Sequence, residues 1–356
     1  MRLRHFHELQ PICPVCRSAE SEAAFPLEIS HAIREKRENV IEGLLRCSNT
    51  ACQYEYPIID GIPLILPNLR EYLSANAEAL RTRDDLSDTL QSVFGDCCGP
   101  GTTIETARQQ VASYAWGHYG DLDPQNNEPD AGSTVDVFRS FTADASSLPD
   151  GPMLDIGCSV GRIAFELAEQ TGRMTLGIDV NASMLKVAVH ALHQSEARYP
   201  HRHTGVVYEE RKFPLEFTQA GLVDFWGCDA LALPFNPQSF AHVSCLNTLD
   251  SVHTPLGLLQ SISRAAKPSA TVHLGCPYDW SSAVTPIEGW IGGHSQRAPH
   301  GGRPEVLLNA ILQDGVDGVS GQFDTEQECD NVPWIVRLHD RSRMHYSLHT
   351  LGLRRR

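Results

Sequence analysis

Met153-Leu154-Asp155-Ile156-Gly157-Cys158-Ser159-Val160-Gly161, an amphipathic run, and then Thr175-Leu176-Gly177-Ile178-Asp179 decide the fold of this chain. The segment reads as strand, glycine-bearing turn, helix and second strand, with an acidic residue near the end of each strand. Open α/β sheets bind nucleotides at the carboxyl ends of such strands. Gly157 lets the backbone turn sharply, and Gly161 lets the helix begin close to whatever lies above the turn. Asp179 falls about one βαβ unit later, where a carboxylate accepts both hydroxyls of a ribose. A dinucleotide fingerprint needs G-x-G-x-x-G, and this turn lacks it.

The Asp155-x-Gly157-x-x-x-Gly161 spacing instead resembles motif I of class I S-adenosylmethionine (SAM) methyltransferases, with Ser159 where their pattern usually has another glycine. The resemblance implies SAM as cofactor, held by Asp155, Gly157, Cys158 and Gly161, with Asp179 on the ribose. Further on, Asp229-Ala230-Leu231-Ala232-Leu233-Pro234-Phe235 resembles the string whose aspartate bonds the adenine amino group, which adds Asp229 and Ala230. The strand Phe240 to Asn247 delivers Asn247 to the same sheet edge. Strands alternate with helices through Cys276, which implies a parallel, doubly wound α/β sheet. A closing hairpin is expected from Trp334–Leu338 and Met344–Leu348, for seven strands in a mostly parallel methyltransferase sheet. His201 to Gln219 reads as an inserted hairpin or loop.

Residues 1–68 form a separate small unit. Cys13-Pro14-Val15-Cys16 and Cys47-Ser48-Asn49-Thr50-Ala51-Cys52 supply two cysteine pairs, enough for a tetrahedral Zn(II) shell of Cys13, Cys16, Cys47 and Cys52. Such an ion staples a segment too small for its own core. With Tyr56-Pro57-Ile58-Ile59-Asp60-Gly61-Ile62-Pro63, a strand and Asp-Gly turn, the unit resembles Trm112-like zinc ribbons. That family occurs as binding partners of methyltransferases or fused to them, so the resemblance implies support or docking of a protein partner.

Residues 69–150 read as a helical lid or linker ahead of a methyltransferase domain over 151–356. One or two helices span Leu69 to Phe94, another Thr103 to Ala115, and another Val135 to Ser147, with Trp116-Gly117-His118-Tyr119-Gly120 as a loop. Pro277-Tyr278-Asp279-Trp280, Trp290-Ile291-Gly292-Gly293 and Val332-Pro333-Trp334, taken with that loop, resemble the 4-mercaptohistidine N1-methyltransferase domain that ends ovothiol synthases. The chain departs from it in carrying the ribbon and lacking the sulfoxide-synthase part. The resemblance implies a small imidazole or thiol-imidazole acceptor methylated on nitrogen, in a pocket walled by Trp116, Tyr119, Tyr278, Trp280 and Trp290. His118, Tyr119, Asp250 and Tyr278 are the catalytic candidates, with His253 and Trp280 behind them, because an acceptor nitrogen must lose or share its proton.

Composition narrows the alternatives. The formal charge is -15, and Arg354-Arg355-Arg356 is the only dense basic cluster, which argues against nucleic acid as a partner. An rRNA or tRNA base methyltransferase is the competing enzyme, and a non-catalytic SAM-fold scaffold the competing non-enzyme. Asn247-Thr248-Leu249-Asp250 after the fourth strand lacks an Asn-Pro-Pro-Tyr-like string, against the first. Asp155, Asp179 and Asp229 are all present, against the second. Eleven cysteines suit a reducing compartment, and no apolar run approaches a membrane span, so the expectation is a cytoplasmic protein.

Overall fold

The computed structural model describes residues 1–17, 24–82, 86–141, 148–314, 319 and 322–356. The N-terminal module holds α1 (Leu3–Leu9), β1 (Leu27–Lys36), β2 (Asn39–Cys47), β3 (Glu55–Ile59) and β4 (Ile62–Ile65). Then come α2 (Leu69–Arg81), α3 (Asp88–Cys98), α4 (Thr103–Tyr119) and α5 (Ser133–Phe141). The core alternates β5 (Met153–Ile156), α6 (Arg162–Thr171), β6 (Thr175–Asp179) and α7 (Ala182–Gln194), followed by the hairpin β7 (Glu196–Thr204) and β8 (Val207–Pro214). It continues with β9 (Val223–Cys228), β10 (Phe240–Leu246), α8 (Pro255–Ala265) and β11 (Ala266–Cys276). Last are α9 (Pro304–Asp314), β12 (Phe323–His339) and β13 (Ser342–Arg355).

The strands form one 11-stranded mixed sheet, ordered β1-β2-β3-β4-β9-β6-β5-β10-β11-β13-β12, with β7 and β8 apart as a pair. This corrects the seven-stranded expectation. The strands after residue 150 do supply seven members, but four more come from the N-terminal module. The junction is β4, which runs parallel to β9 with Leu64 opposite Gly227 and Ile65 opposite Cys228. The module therefore extends the central sheet and is not a separate bead. An apolar strand with both faces covered gains most by pairing inside a sheet, and all four residues of β4 are buried. The other end of the module is pinned as well, since Arg2 N donates to Asp224 Oδ2 at 2.8 Å and Ile12 N to Pro234 O at 2.9 Å.

From β4 to β11 the six strands are parallel, so Ile156, Asp179, Cys228, Leu246 and Cys276 end at one edge. Helix α4 corrects a second expectation, because it runs on through Trp116, His118 and Tyr119 where a loop was foreseen. Gly117 does not break it. A Cβ there would stand 3.1 Å from Thr134 Oγ1, so the glycine admits α5 against α4. Thr102 caps the start of α4, accepting from Glu105 N at 3.2 Å. Asn181 does the same for α7 through Ser183 N and Met184 N. The helix expected over 135–147 appears as α5, and residues 142–147 lie outside the described residues. No described helix is long and apolar enough to cross a membrane.

Candidate cofactor and acceptor cavity

At the carboxyl edge of the sheet lies a cavity of about 280 Å³. The turn after β5 forms one wall. Gly157 has φ +71°, and a Cβ there would come within 2.2 Å of Thr248 Oγ1. Gly161, at φ +91°, leaves the same room for the Phe225 ring at 2.5 Å. Backbone N–H groups of Gly157 and Cys158 both donate to Ile178 O at 2.9 Å, which stitches the turn to β6. Ser159, where a glycine is usual, adopts φ +52° and directs its N–H to Asp179 Oδ2 at 2.8 Å. Asp179 Oδ1 accepts from Asn181 N at 2.8 Å, and Asp229 Oδ1 from Leu231 N at 2.8 Å.

Asp155, Gly157, Cys158, Asp179, Asp229, Ala230 and Asn247 all line this cavity, while Gly161 shapes it from behind. Burial, reinforced by the neighbouring Asp179, pushes the Asp155 carboxyl up to about 8. Burial also raises Asp179, against the pull of its backbone N–H donors. Asp155 Oδ2, Ser159 Oγ, Asn247 Oδ1 and His118 Nδ1 are buried and have no partner. Buried polar atoms are almost always bonded, so four orphans around one cavity mark a place for a polar ligand. Three aspartates and no lysine or arginine line it among the described residues, a wall that favours a cation. SAM, a sulfonium with an ammonium group and two ribose hydroxyls, fits that donor and acceptor set.

The opposite wall comes from Gln110, Tyr114 and His118 of α4, Thr134 of α5 and Trp334 of β12. The three α4 residues stand four apart and so share one helix face. Burial, with a push from Arg162, takes the His118 imidazole down to about 3, so it is uncharged. Trp334 stacks on Tyr346 at 5.0 Å and donates from Nε1 to Thr134 Oγ1 at 3.3 Å.

Of the four catalytic candidates, only His118 lines the cavity. Tyr119 is fully buried and donates its hydroxyl to Val160 O at 2.8 Å, so it is a strut. Asp250 accepts from Asp279 N at 2.8 Å, and Tyr278 Oη is 2.7 Å from His349 Nδ1. Neither is among the lining residues. Trp280 stacks on Trp290 at 6.1 Å, Trp116 is packed inside, and His253 is exposed, so these are not cavity walls either. Sequence reasoning missed Gln110, Tyr114, Thr134 and Trp334. Continuing the helix past Ala115 would have placed the first two beside His118.

In the N-terminal module the thiols of Cys13, Cys16, Cys47 and Cys52 lie within 4.8 Å of one another. Cys16 Sγ and Cys47 Sγ are 3.6 Å apart, near the roughly 3.8 Å edge of a tetrahedron with Zn–S bonds of about 2.3 Å. Asn49 turns its backbone N–H to Cys47 Sγ at 3.4 Å and its side-chain amide to Cys16 Sγ at 3.5 Å. Such donors suit thiolates, so the group fits a tetrahedral divalent ion. His201, His203 and Asp340 also cluster, but Arg337 Nη2 already stands 2.8 Å from His201 Nε2 and pairs with Asp340. A cation occupies that junction, which reads as an ion-pair lock.

Residues 154–274 match the family described as a methyltransferase domain. The strand, turn and helix core from β5 to β11 is thus the part of the chain that matches a methyltransferase domain. A curated relative, the O-methyltransferase resE of Aspergillus sclerotiorum, is 27% identical over 148 residues, covering 42% of this chain and 48% of that protein. The chain thus spans about half the length of that curated relative. A protein solved in work on the conversion of a disulfide bond into a thioacetal group during echinomycin biosynthesis aligns at TM-score 0.40 and 18% identity, over 61% of this chain and 81% of that one. Phosphoethanolamine N-methyltransferase 2 of Haemonchus contortus aligns at TM-score 0.34 and 18% identity, over 74% of this chain and 47% of that one.

Proposed function

We propose that this chain transfers the methyl group of SAM to a ring nitrogen of a small imidazole or thiol-imidazole such as a mercaptohistidine. The carrying observation is one cavity with carboxylates on one wall and Tyr114, His118, Thr134 and Trp334 on the other. Bound SAM supplies a methyl group already activated by its sulfonium. The protein's task is then alignment and exclusion of water. Asp179 and Asp229 hold the ribose and adenine, while Asp155, Ser159 and Asn247 offer their unpartnered atoms to the amino-acid end. Trp334 and Tyr114 give a flat acceptor a stacking surface, worth about 0.5–1.5 kcal/mol per good ring pair beyond buried area. His118, neutral and with Nδ1 unpartnered, bonds the acceptor's ring and holds its proton or lone pair in place.

Zn(II) on Cys13, Cys16, Cys47 and Cys52 holds a Trm112-like ribbon whose work is done within the chain. Its β4 covers the edge of β9, whose end leads into Asp229 and Ala230. A hydroxyl acceptor is the second reading, supported by the curated relative named as an O-methyltransferase. Incubation with tritiated SAM and three acceptor sets decides among these: thiol-imidazoles, phenols and total RNA. Label in the imidazole set supports the proposal, label in phenols alone supports the second reading, and label in RNA alone contradicts both.

A further inference from the structure

Arg162 is the first residue of α6, directly after the cofactor turn, and it is 1% exposed. A guanidinium carries five N–H donors in a rigid fork. Here Nε and Nη2 donate to Glu166 Oε1 at 2.9 and 2.6 Å. Nη1 donates to Asp121 Oδ1 and to His118 O, both at 2.9 Å, and Nη2 also to Asp121 Oδ2 at 3.2 Å. All five donors are thus used, three of them on the end of α4 and the residues just beyond it. The guanidinium also faces the rings of Tyr119 and Phe217, at 5.9 and 5.5 Å. A second strap runs the other way, from Tyr119 Oη to Val160 O at 2.8 Å. Two straps therefore join the cofactor turn, Val160 to Arg162, to the segment that carries His118.

We infer that Arg162 and Tyr119 are positioning residues that couple the two walls, so that filling the cofactor side stiffens the acceptor side around His118. Neither side chain lines the cavity, so each acts through His118 and the turn. A buried fork with every donor satisfied has one geometry, and movement of the turn must be passed to α4 or break a charged hydrogen bond. The inference rests on the methyltransferase reading above, but its test needs no acceptor.

The test is amide hydrogen exchange over residues 116–121, with and without S-adenosylhomocysteine, in the full chain and in Tyr119→Phe and Arg162→Lys. In the native protein the ligand should slow exchange there by about tenfold. In Tyr119→Phe, which removes one hydroxyl and keeps the ring, and in Arg162→Lys, which keeps charge but loses the fork, that slowing should fall below about twofold. Calorimetric affinity for S-adenosylhomocysteine should stay within about threefold of native in both. A merely structural role would speed exchange equally with and without ligand, leaving the ratio at its native value. That outcome, in either variant, overturns the coupling alone. Failure of S-adenosylhomocysteine to bind the native chain overturns the coupling and the methyltransferase reading together.

Discussion

Leu64 of the N-terminal module and Gly227 of the central sheet face each other in parallel register, so closely that a Cβ on Gly227 would stand 2.6 Å from Leu64 Cδ2. Leu64 has no exposed surface. The residues that follow Gly227 are Cys228, Asp229 and Ala230, all lining the cavity at the sheet edge. The N-terminal module is thereby joined to the wall of that cavity by a strand pair, beside its hydrogen bonds through Arg2 and Ile12.

Gly227→Ala should destabilise the protein by about 1–3 kcal/mol, as overpacking does in a filled core. It should also weaken S-adenosylhomocysteine binding, because β9 must shift. Leu64→Ala alone creates a cavity and costs about 2–5 kcal/mol. The double variant should cost clearly less than the sum, since the added methyl fills the space removed. Denaturant titration of the four proteins checks this, and strict additivity would mean that the two residues do not press on each other.

Zinc analysis should find one ion per chain, and Cys13→Ser/Cys47→Ser should lose it. Because β4 belongs to the same module as the four cysteines, metal removal by chelation should lower both thermal stability and cofactor affinity. A zinc content unchanged in the double variant would remove these cysteines from the ligand set.

Asp155 sets a pH dependence whose sign can be worked out. Its carboxyl titrates at about 8 in the fold against an ordinary value of 3.8. The folded state keeps a proton that the unfolded chain releases, so this group's stabilising contribution is full below about pH 4 and is lost as pH rises through about 8. A cation placed beside it favours ionisation, so SAM binding should expel that proton. Affinity should therefore climb with pH and level off above about 8, with Asp155→Asn flattening the climb. SAM's own titration is common to both proteins and cancels in the comparison. Identical profiles for native and variant would deny Asp155 a place beside the positive charge.

His118 should show its role in the acceptor constants. His118→Asn should raise the Michaelis constant for a thiol-imidazole acceptor or cut turnover by about tenfold or more, the scale of a lost hydrogen bond to a reacting group. S-adenosylhomocysteine affinity should barely move. A loss confined to cofactor binding would place the imidazole on the other wall.

How far the site was legible follows from where each residue's signal resides. Asp155, Gly157, Asp179 and Asp229 lie at or just beyond the ends of strands with local turn chemistry, and all four reach the cavity. The cysteine pairs carry their own spacing, and the four thiols converge. What local pattern cannot carry is partnership. Ile62–Ile65 is an apolar strand in any context, and nothing in it names β9 as its neighbour. Trp334 reaches the cavity through a hairpin about two hundred residues away from Thr134, its hydrogen-bond partner. Tyr119 misled for the opposite reason. An aromatic residue near a glycine reads as a loop, whereas Gly117 is there to admit Thr134 and the helix continues.

Titration calorimetry of the zinc-loaded chain with S-adenosylhomocysteine tests the central claim most directly. The account predicts one site per chain, and in Asp179→Ala an affinity lower by about tenfold or more, from loss of a charged hydrogen bond worth roughly 1.5–3 kcal/mol. The fold of that variant should remain intact by circular dichroism. No binding to the native chain, or equal affinity in Asp179→Ala, would contradict the assignment of this cavity to SAM.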